Sequence, residues 1–280
     1  MKISNLSALP RPIDPQYPTN LAIAGLTALV TVAAAIVRLL LGSGWLDGVL
    51  WAAQLGLAVF LTWALSRELD PDHAWSAFVG AVLTIPAVGL VGLPGLSAAL
   101  WALVALRIVN RSTGLAARIL DSLVLFVLGA WVTWQGMWPL GLATALAFFL
   151  DGVLVPRLPR QLLFAAITLA VTLILIQVKG LLAPAGPFST TGLVLVAVAT
   201  LLFLIAILTS RTVRSVGDIT HIPLNPQRVQ AAQVVGLAAV LGVTALMGDR
   251  GAVLVLPLWL AILGVGLFRV MLLVVGRLRA

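Results

Sequence analysis

The chain has 280 residues, 61% of them hydrophobic and 9% charged, with a mean hydropathy of +1.15. A soluble domain carries about 25% charged residues, so an ordinary water-facing surface is excluded and the expected solvent is lipid. The formal net charge of +8 comes from basic residues scattered singly at the ends of apolar runs. That is not the clustered stripe of a nucleic-acid binder, and no nucleic-acid partner is expected. The absence of cysteine excludes disulfides, thiolate metal sites and cysteine nucleophiles. His73 and His221 are the only imidazoles, and the pattern implies neither a metal nor a particular cofactor.

A helix needs about 20 apolar residues to cross the hydrocarbon core of a bilayer. Residues 1–20 lack a continuous apolar run, being interrupted by Pro10, Pro12, Pro15 and Pro18. They are expected to form a short cytoplasmic tail, and 21–280 a single integral membrane domain. Ten apolar segments follow: 21–41, 45–65, 74–91, 96–109, 119–134, 139–155, 161–182, 188–209, 228–247 and 252–276. They are separated by turn signals such as Gly42-Ser43-Gly44, Gly92-Leu93-Pro94-Gly95 and Gln135-Gly136-Met137-Trp138. The predicted fold is an all-α polytopic transmembrane helix bundle of about ten helices. It falls to eight if one of the short hairpins (third with fourth, or fifth with sixth) is re-entrant.

With the N-terminus inside, the inner segments hold thirteen Lys and Arg residues, and the outer turns hold only Lys179 and Arg250. Arg38 and Arg269 fall within apolar runs, near enough to an end to snorkel. This positive-inside bias predicts an N-in, C-in protein, and the chain is expected in a bacterial cytoplasmic membrane. Tryptophans 45, 131, 134 and 138 gather at the predicted outer ends, and 63 and 75 near the inner interface, as headgroup-seeking indoles do. Ala232 with Gly236 and Ala238 with Gly242 repeat small residues at four-residue spacing. They predict close helix packing within one bundle, with a homo-oligomeric face or contact with other membrane subunits as the alternative. Leu46-Asp47-Gly48-Val49-Leu50 recurs as 150–154 without matching flanks and is read as a chance echo.

The densest polar patch is 67–73, Arg67-Glu68-Leu69-Asp70-Pro71-Asp72-His73. It lies at the inner interface between the second and third segments. Asp70 or Asp72 is expected to cap the third helix and Arg67 to pair locally with the acids. A second inner polar region, 211–228, carries Asp218, His221, Asn225 and Gln227, with Asn225-Pro226 read as a helix start. Glu68, Asp70, Asp72, His73, Asp218 and His221 therefore make one candidate cluster, with the spacing of a site for a cation or a lipid headgroup. Arg67-Glu68-Leu69-Asp70 resembles the tail of the aspartate-rich motif of intramembrane prenyltransferases. Thr62, Trp63 and Ser66 stand where that motif carries asparagine and aspartates, so the chain is not assigned to the family.

Within the apolar segments, Gln54, Gln177 and Arg269 are the candidate polar residues for a carrier's cavity. Pro86 and Pro257 are the candidate kinks. The remaining acids, Asp47, Asp121, Asp151 and Asp249, read as helix caps. Three functional readings stay open. The first is a carrier of a small uncharged or lipid-like molecule, in which Gln54, Gln177 and Arg269 share a cavity. The second is an interfacial lipid- or isoprenoid-modifying enzyme, in which Asp70, Asp72 and His73 meet Asp218 or His221 around one ion. The third is a non-catalytic membrane subunit or scaffold.

Overall fold

The computed structural model describes residues 6–11, 16–182 and 185–278, with the side chains of 276–278 outside that description. Lys2, Pro12, Pro15, Pro184 and Arg279 therefore lie outside it. The described residues form ten helices: α1 Pro18–Leu40, α2 Trp45–Leu69, α3 Ser76–Val91, α4 Leu96–Asn110, α5 Ile119–Trp134, α6 Trp138–Val153, α7 Arg160–Lys179, α8 Thr190–Thr209, α9 Pro226–Leu254 and α10 Leu256–Leu278. Among them there is no β-strand, only an isolated antiparallel bridge between Val216 and Pro223.

Local sequence explains many of the ends. Pro18, Pro139 and Pro226 stand in first turns, where a missing N–H leaves no bond unmade. Asn225 caps α9 by accepting from the Gln227 N–H at 2.9 Å, and Ser189 caps α8 by accepting from Gly192 at 3.0 Å. Gly180 closes α7 at a φ of 60°, where a side chain is disfavoured.

Two expectations about the helices change. Pro257 does not kink a span, because it falls in the first turn of α10. The break near it is at Gly248, whose φ of 62° and ψ of −143° bend α9 away from its axis. Likewise α2 runs four residues past its expected end. Arg67 and Glu68 are therefore helical, and Asp70 terminates α2 instead of starting α3. Helix α3 begins at Ser76 without a side-chain cap.

Six helices, α1, α2, α7, α8, α9 and α10, are long and apolar enough to cross a bilayer. Helices α3 to α6 have 15 or 16 residues, about 24 Å at 1.5 Å per residue. Two of them, α4 and α5, nevertheless make contacts at both ends of the bundle. At one end of α5, the Ser122 hydroxyl donates to Gln161 in the first turn of α7 at 3.0 Å. At its other end, Lys179 from the last turn of α7 lies 3.8 Å from the Trp134 ring centroid. Helix α4 reaches Glu68 through Arg107 at one end, and the Gly95 N–H donates to Leu254 at 3.1 Å at the other.

Helices α2, α4, α6, α9 and α10 pack centrally around Trp101, Leu106, Phe148, Val240 and Ile262. A smaller cluster of Ile23, Leu55, Val59, Trp63 and Ala77 joins α1, α2 and α3. Helices α1, α7 and α8 are peripheral and turn Leu29, Leu163 and Leu195 outward. Outward leucine is the expected surface of a helix that faces acyl chains. Helices α3 and α10 cross with their backbones close together. A Cβ on Gly80 would stand 2.7 Å from the Leu260 carbonyl oxygen, and one on Gly264 2.5 Å from the Gly80 nitrogen. Such backbone approach holds apolar helices together where no hydrophobic force drives them. The ninth-segment glycines act within the bundle as well, Gly236 against Leu69 and Leu106 and Gly242 against Pro139.

Candidate functional site

One end of the bundle gathers nearly all the buried charge. It carries the start of α1, α5, α7 and α9 and the close of α2, α4, α6, α8 and α10, and is called the basic end below. Three networks lie there.

The first is centred on Glu68, whose side chain is fully buried in the last turn of α2. Arg11 Nη1 reaches Oε1 at 2.8 Å, Arg107 Nε reaches the same oxygen at 3.0 Å, and Asn110 Nδ2 donates to the Glu68 carbonyl at 3.0 Å. Arg11 also bonds through Nε to Asp218. Residues 7–9 and Arg11 are thus tied to the bundle. Thr113 donates to the Ala8 carbonyl and Arg107 to the Leu9 carbonyl, at 2.9 and 3.0 Å. Asp121 accepts from the Ala8 N–H at 2.9 Å and from the Ser7 hydroxyl. Burial works against the Arg11 cation, but Glu68 and Asp218 outweigh it and its pKa is raised.

The second network holds Asp70, fully buried, between His73 Nδ1 at 3.0 Å and Arg269 Nη2 at 2.8 Å. Beside it, Gln233 donates to the Leu69 carbonyl at 2.7 Å and to Ser210 at 2.9 Å. The third is centred on Asp151, also buried. Arg111 approaches at 2.7 Å and Arg228 at 2.8 Å, and Gln161 donates at 3.1 Å. Arg228 also donates to the carbonyls of Val109, Leu154, Val155 and Pro156. It fills the unsatisfied acceptors that end α4 and α6.

The 210–225 loop closes over this end. Asp72 accepts from the backbone N–H of Arg214 at 3.1 Å and of Ser215 at 2.8 Å. Burial alone would raise the Asp72 pKa, but the Ser215 side chain, these backbone donors and nearby His73 hold it below the usual carboxylate value. Gly114 and Gly217 let the loop lie on the α4–α5 turn. A Cβ on Gly217 would stand 2.6 Å from the Gly114 nitrogen, and Gly114 has a φ of 82°.

Between this loop, the start of α1 and the end of α2 lies a cavity of about 540 Å³. Phe60, Trp63, Ala64 and Arg67 line it from α2. At positions i, i+3, i+4 and i+7 they occupy one helix face. The face passes from aromatic to cationic as it approaches the basic end. Tyr17 faces it from the start of α1, with Arg107, Arg214, Glu68, Asp218 and His221 around the polar floor.

The sequence-predicted residues are therefore distributed as follows. Glu68 and Asp218 meet through Arg11, and His221 joins them in the lining. Asp70, His73 and Arg269 form their own network, and Asp72 anchors the loop. They do not assemble the expected single ion site. Among the described residues no three His, Asp or Glu side chains converge as metal ligands. The acids of this end face arginines or backbone N–H groups instead. Gln54 and Gln177 are exposed on α2 and α7, so the cavity expected from Gln54, Gln177 and Arg269 does not form. Arg67 does not pair with the neighbouring acids either: Arg11 and Arg107 take Glu68, while His73 and Arg269 take Asp70.

Sequence reasoning missed Arg11, Arg107, Arg111 and Arg228, and with them the partners of Asp151. A signal was present for the Asp151–Arg228 pair. Asp151 lies in the last turn of α6 and Arg228 in the first turn of α9, both against the helix dipole. A charge at the wrong helix end needs a tertiary partner, and these two are each other's. Asp151 is thus not a cap, whereas Asp47 is exposed in the first turn of α2. The repeated pentapeptide has two unrelated environments.

Comparison with protein-family models, with curated proteins and with solved structures found no match to this chain.

Proposed function

We propose that the chain is a multi-pass membrane protein that takes up an amphiphile from one leaflet, in the cavity at its basic end. The observation that carries this reading is the α2 face Phe60–Trp63–Ala64–Arg67. It offers an apolar wall and a guanidinium within one partly open cavity, which this reading sets at acyl and headgroup depth. An amphiphile needs an apolar wall beside placed polar groups, and here a largely polar lining meets an apolar strip along a single helix. The reading favours a lipid- or isoprenoid-handling protein over a carrier built on Gln54 and Gln177. In this proposal the ten helices are ten crossings of one membrane domain in a bacterial cytoplasmic membrane. The basic end is cytoplasmic, in keeping with the excess of Lys and Arg there.

Two experiments test it. Native mass spectrometry of the gently extracted protein is expected to find one retained amphiphile, lost in the Phe60→Ala, Trp63→Ala double variant. Retention unchanged in a folded double variant would refute uptake at this cavity. For topology, the cysteine-free chain is a ready background for single-cysteine labelling. Gln135→Cys is expected to react with an impermeant maleimide in intact cells, and Thr212→Cys only after permeabilisation. The reverse pattern would invert the orientation.

A further inference from the structure

We infer that the headgroup this cavity accepts is a dianionic phosphate, a phosphomonoester or diphosphate carried on a lipid, held between Arg67 and Arg214. The inference rests on the uptake reading above and adds the chemistry of what is taken up. Four arginines line the cavity, Arg11, Arg67, Arg107 and Arg214, against two carboxylates, Glu68 and Asp218. The carboxylates are already engaged. Glu68 lies 2.8 Å from Arg11 and 3.0 Å from Arg107, and Asp218 is bonded to the same Arg11. Arg67 and Arg214 have no carboxylate within ion-pair distance among the described residues.

Four positive and two negative groups leave two formal charges over, both on guanidiniums. A guanidinium presents paired donors that match phosphate oxygens, and it is weakly hydrated enough to do so at a partly buried site. A second observation points the same way. Trp63 is 7% exposed and lines the cavity, yet its Nε1–H has no acceptor. A buried indole N–H ordinarily finds one, and a phosphate oxygen between Trp63 and Arg67 would supply it. Free phosphate would satisfy these donors but leave the Phe60 and Trp63 wall against water. A lipid-borne phosphate covers both.

The test uses the full chain in phosphatidylcholine nanodiscs, doped in turn with phosphatidic acid (a monoester) or phosphatidylglycerol (a diester). Inorganic phosphate in solution is the third probe. Lipids retained on ejection into the mass spectrometer are counted. Phosphatidic acid is expected to be retained at least about tenfold over either other lipid. Arg67→Gln is expected to lose about tenfold of that, the worth of one charged hydrogen bond. Arg214→Gln, on an exposed loop where folding is not at issue, is expected to lose a comparable share.

Equal retention of phosphatidylcholine and phosphatidic acid, both lost in Trp63→Ala, would overturn the phosphate assignment and leave the uptake reading standing. Phosphatidylglycerol held as well as phosphatidic acid would overturn the dianion. Inorganic phosphate bound with no lipid retained would overturn the lipid source. No retained species of any kind would defeat both this inference and the reading it rests on.

Discussion

The two ends of the bundle are held by different forces. At the basic end, three buried carboxylates, Glu68, Asp70 and Asp151, each meet cationic side chains from other segments. At the opposite end, among the described residues, backbone hydrogen bonds join the turns. Gly95 donates to Leu254, Gly186 to Leu246 and Asp249 to Pro187, at 2.9 to 3.1 Å. The side-chain contributions there, Ser97 to Gln135, Ser189 N–H to Asp249 and Lys179 over Trp134, are exposed or single. The contrast teaches where the architecture is specified. A backbone bond between turns tolerates many side chains. A buried ion pair tolerates few, because removing one partner strands the other.

The largest effect that would test this contrast is Arg228→Leu. It leaves Asp151 with Arg111 as its one cation, beside the Gln161 amide, and leaves the end carbonyls of α6 without that donor. A loss of about 3–5 kcal/mol is expected, read as a large fall in the thermal unfolding midpoint in detergent. Arg269→Leu removes one of two partners from Asp70, whose Oδ2 already lacks one. It is expected to cost about 2–3 kcal/mol in the same assay.

At the opposite end the values should be much smaller. Lys179→Ala removes a cation–π contact worth about 0.5–1 kcal/mol, and Ser97→Ala should change stability by less than about 0.5 kcal/mol. If either matched Arg228→Leu, the asymmetry between the ends would be wrong.

The last prediction is local. The folded pKa of Asp72 lies below its unfolded value. Its hold on the 210–225 loop is therefore complete above the unfolded carboxylate pKa of about 4, and is lost as pH falls through the depressed folded value. Exchange of the Arg214 and Ser215 amide hydrogens, corrected for intrinsic pH dependence, should stay slow from pH 5 to 8 and accelerate only in acid. Asp72→Asn should remove that pH dependence.

Much of the fold was legible in sequence because apolar length and turn residues are local. Helix α5 was expected at 119–134 and is found there, since Asp121 in its first turn and Gly136 after its end both mark boundaries. The end of α2 was misplaced by four residues because Ser66, Arg67 and Glu68 read as a polar loop. They stay helical because Glu68 and Asp70 find cations from distant segments. Pro257 reads as a candidate kink of the tenth segment because proline is the usual breaker, and the bend at Gly248 in α9 has no such signal. There Pro187 approaches so closely that a Cβ on Gly248 would stand 2.0 Å from its carbonyl oxygen.

By itself, then, the sequence determined an apolar, all-helical, membrane-type bundle with its basic residues concentrated at one end. Hydropathy and charge position are properties of short windows, and lipid rewards only helices there. Tertiary structure alone decided which charges meet. Asp70 and Arg269 are 199 residues apart and Asp151 and Arg228 are 77 apart, and no local pattern encodes such a pairing. It decided equally which arginines have no carboxylate partner among the described residues. Arg67 sits beside Glu68 in sequence, yet the helix turns its side chain into the cavity while Arg11 and Arg107 take the acid.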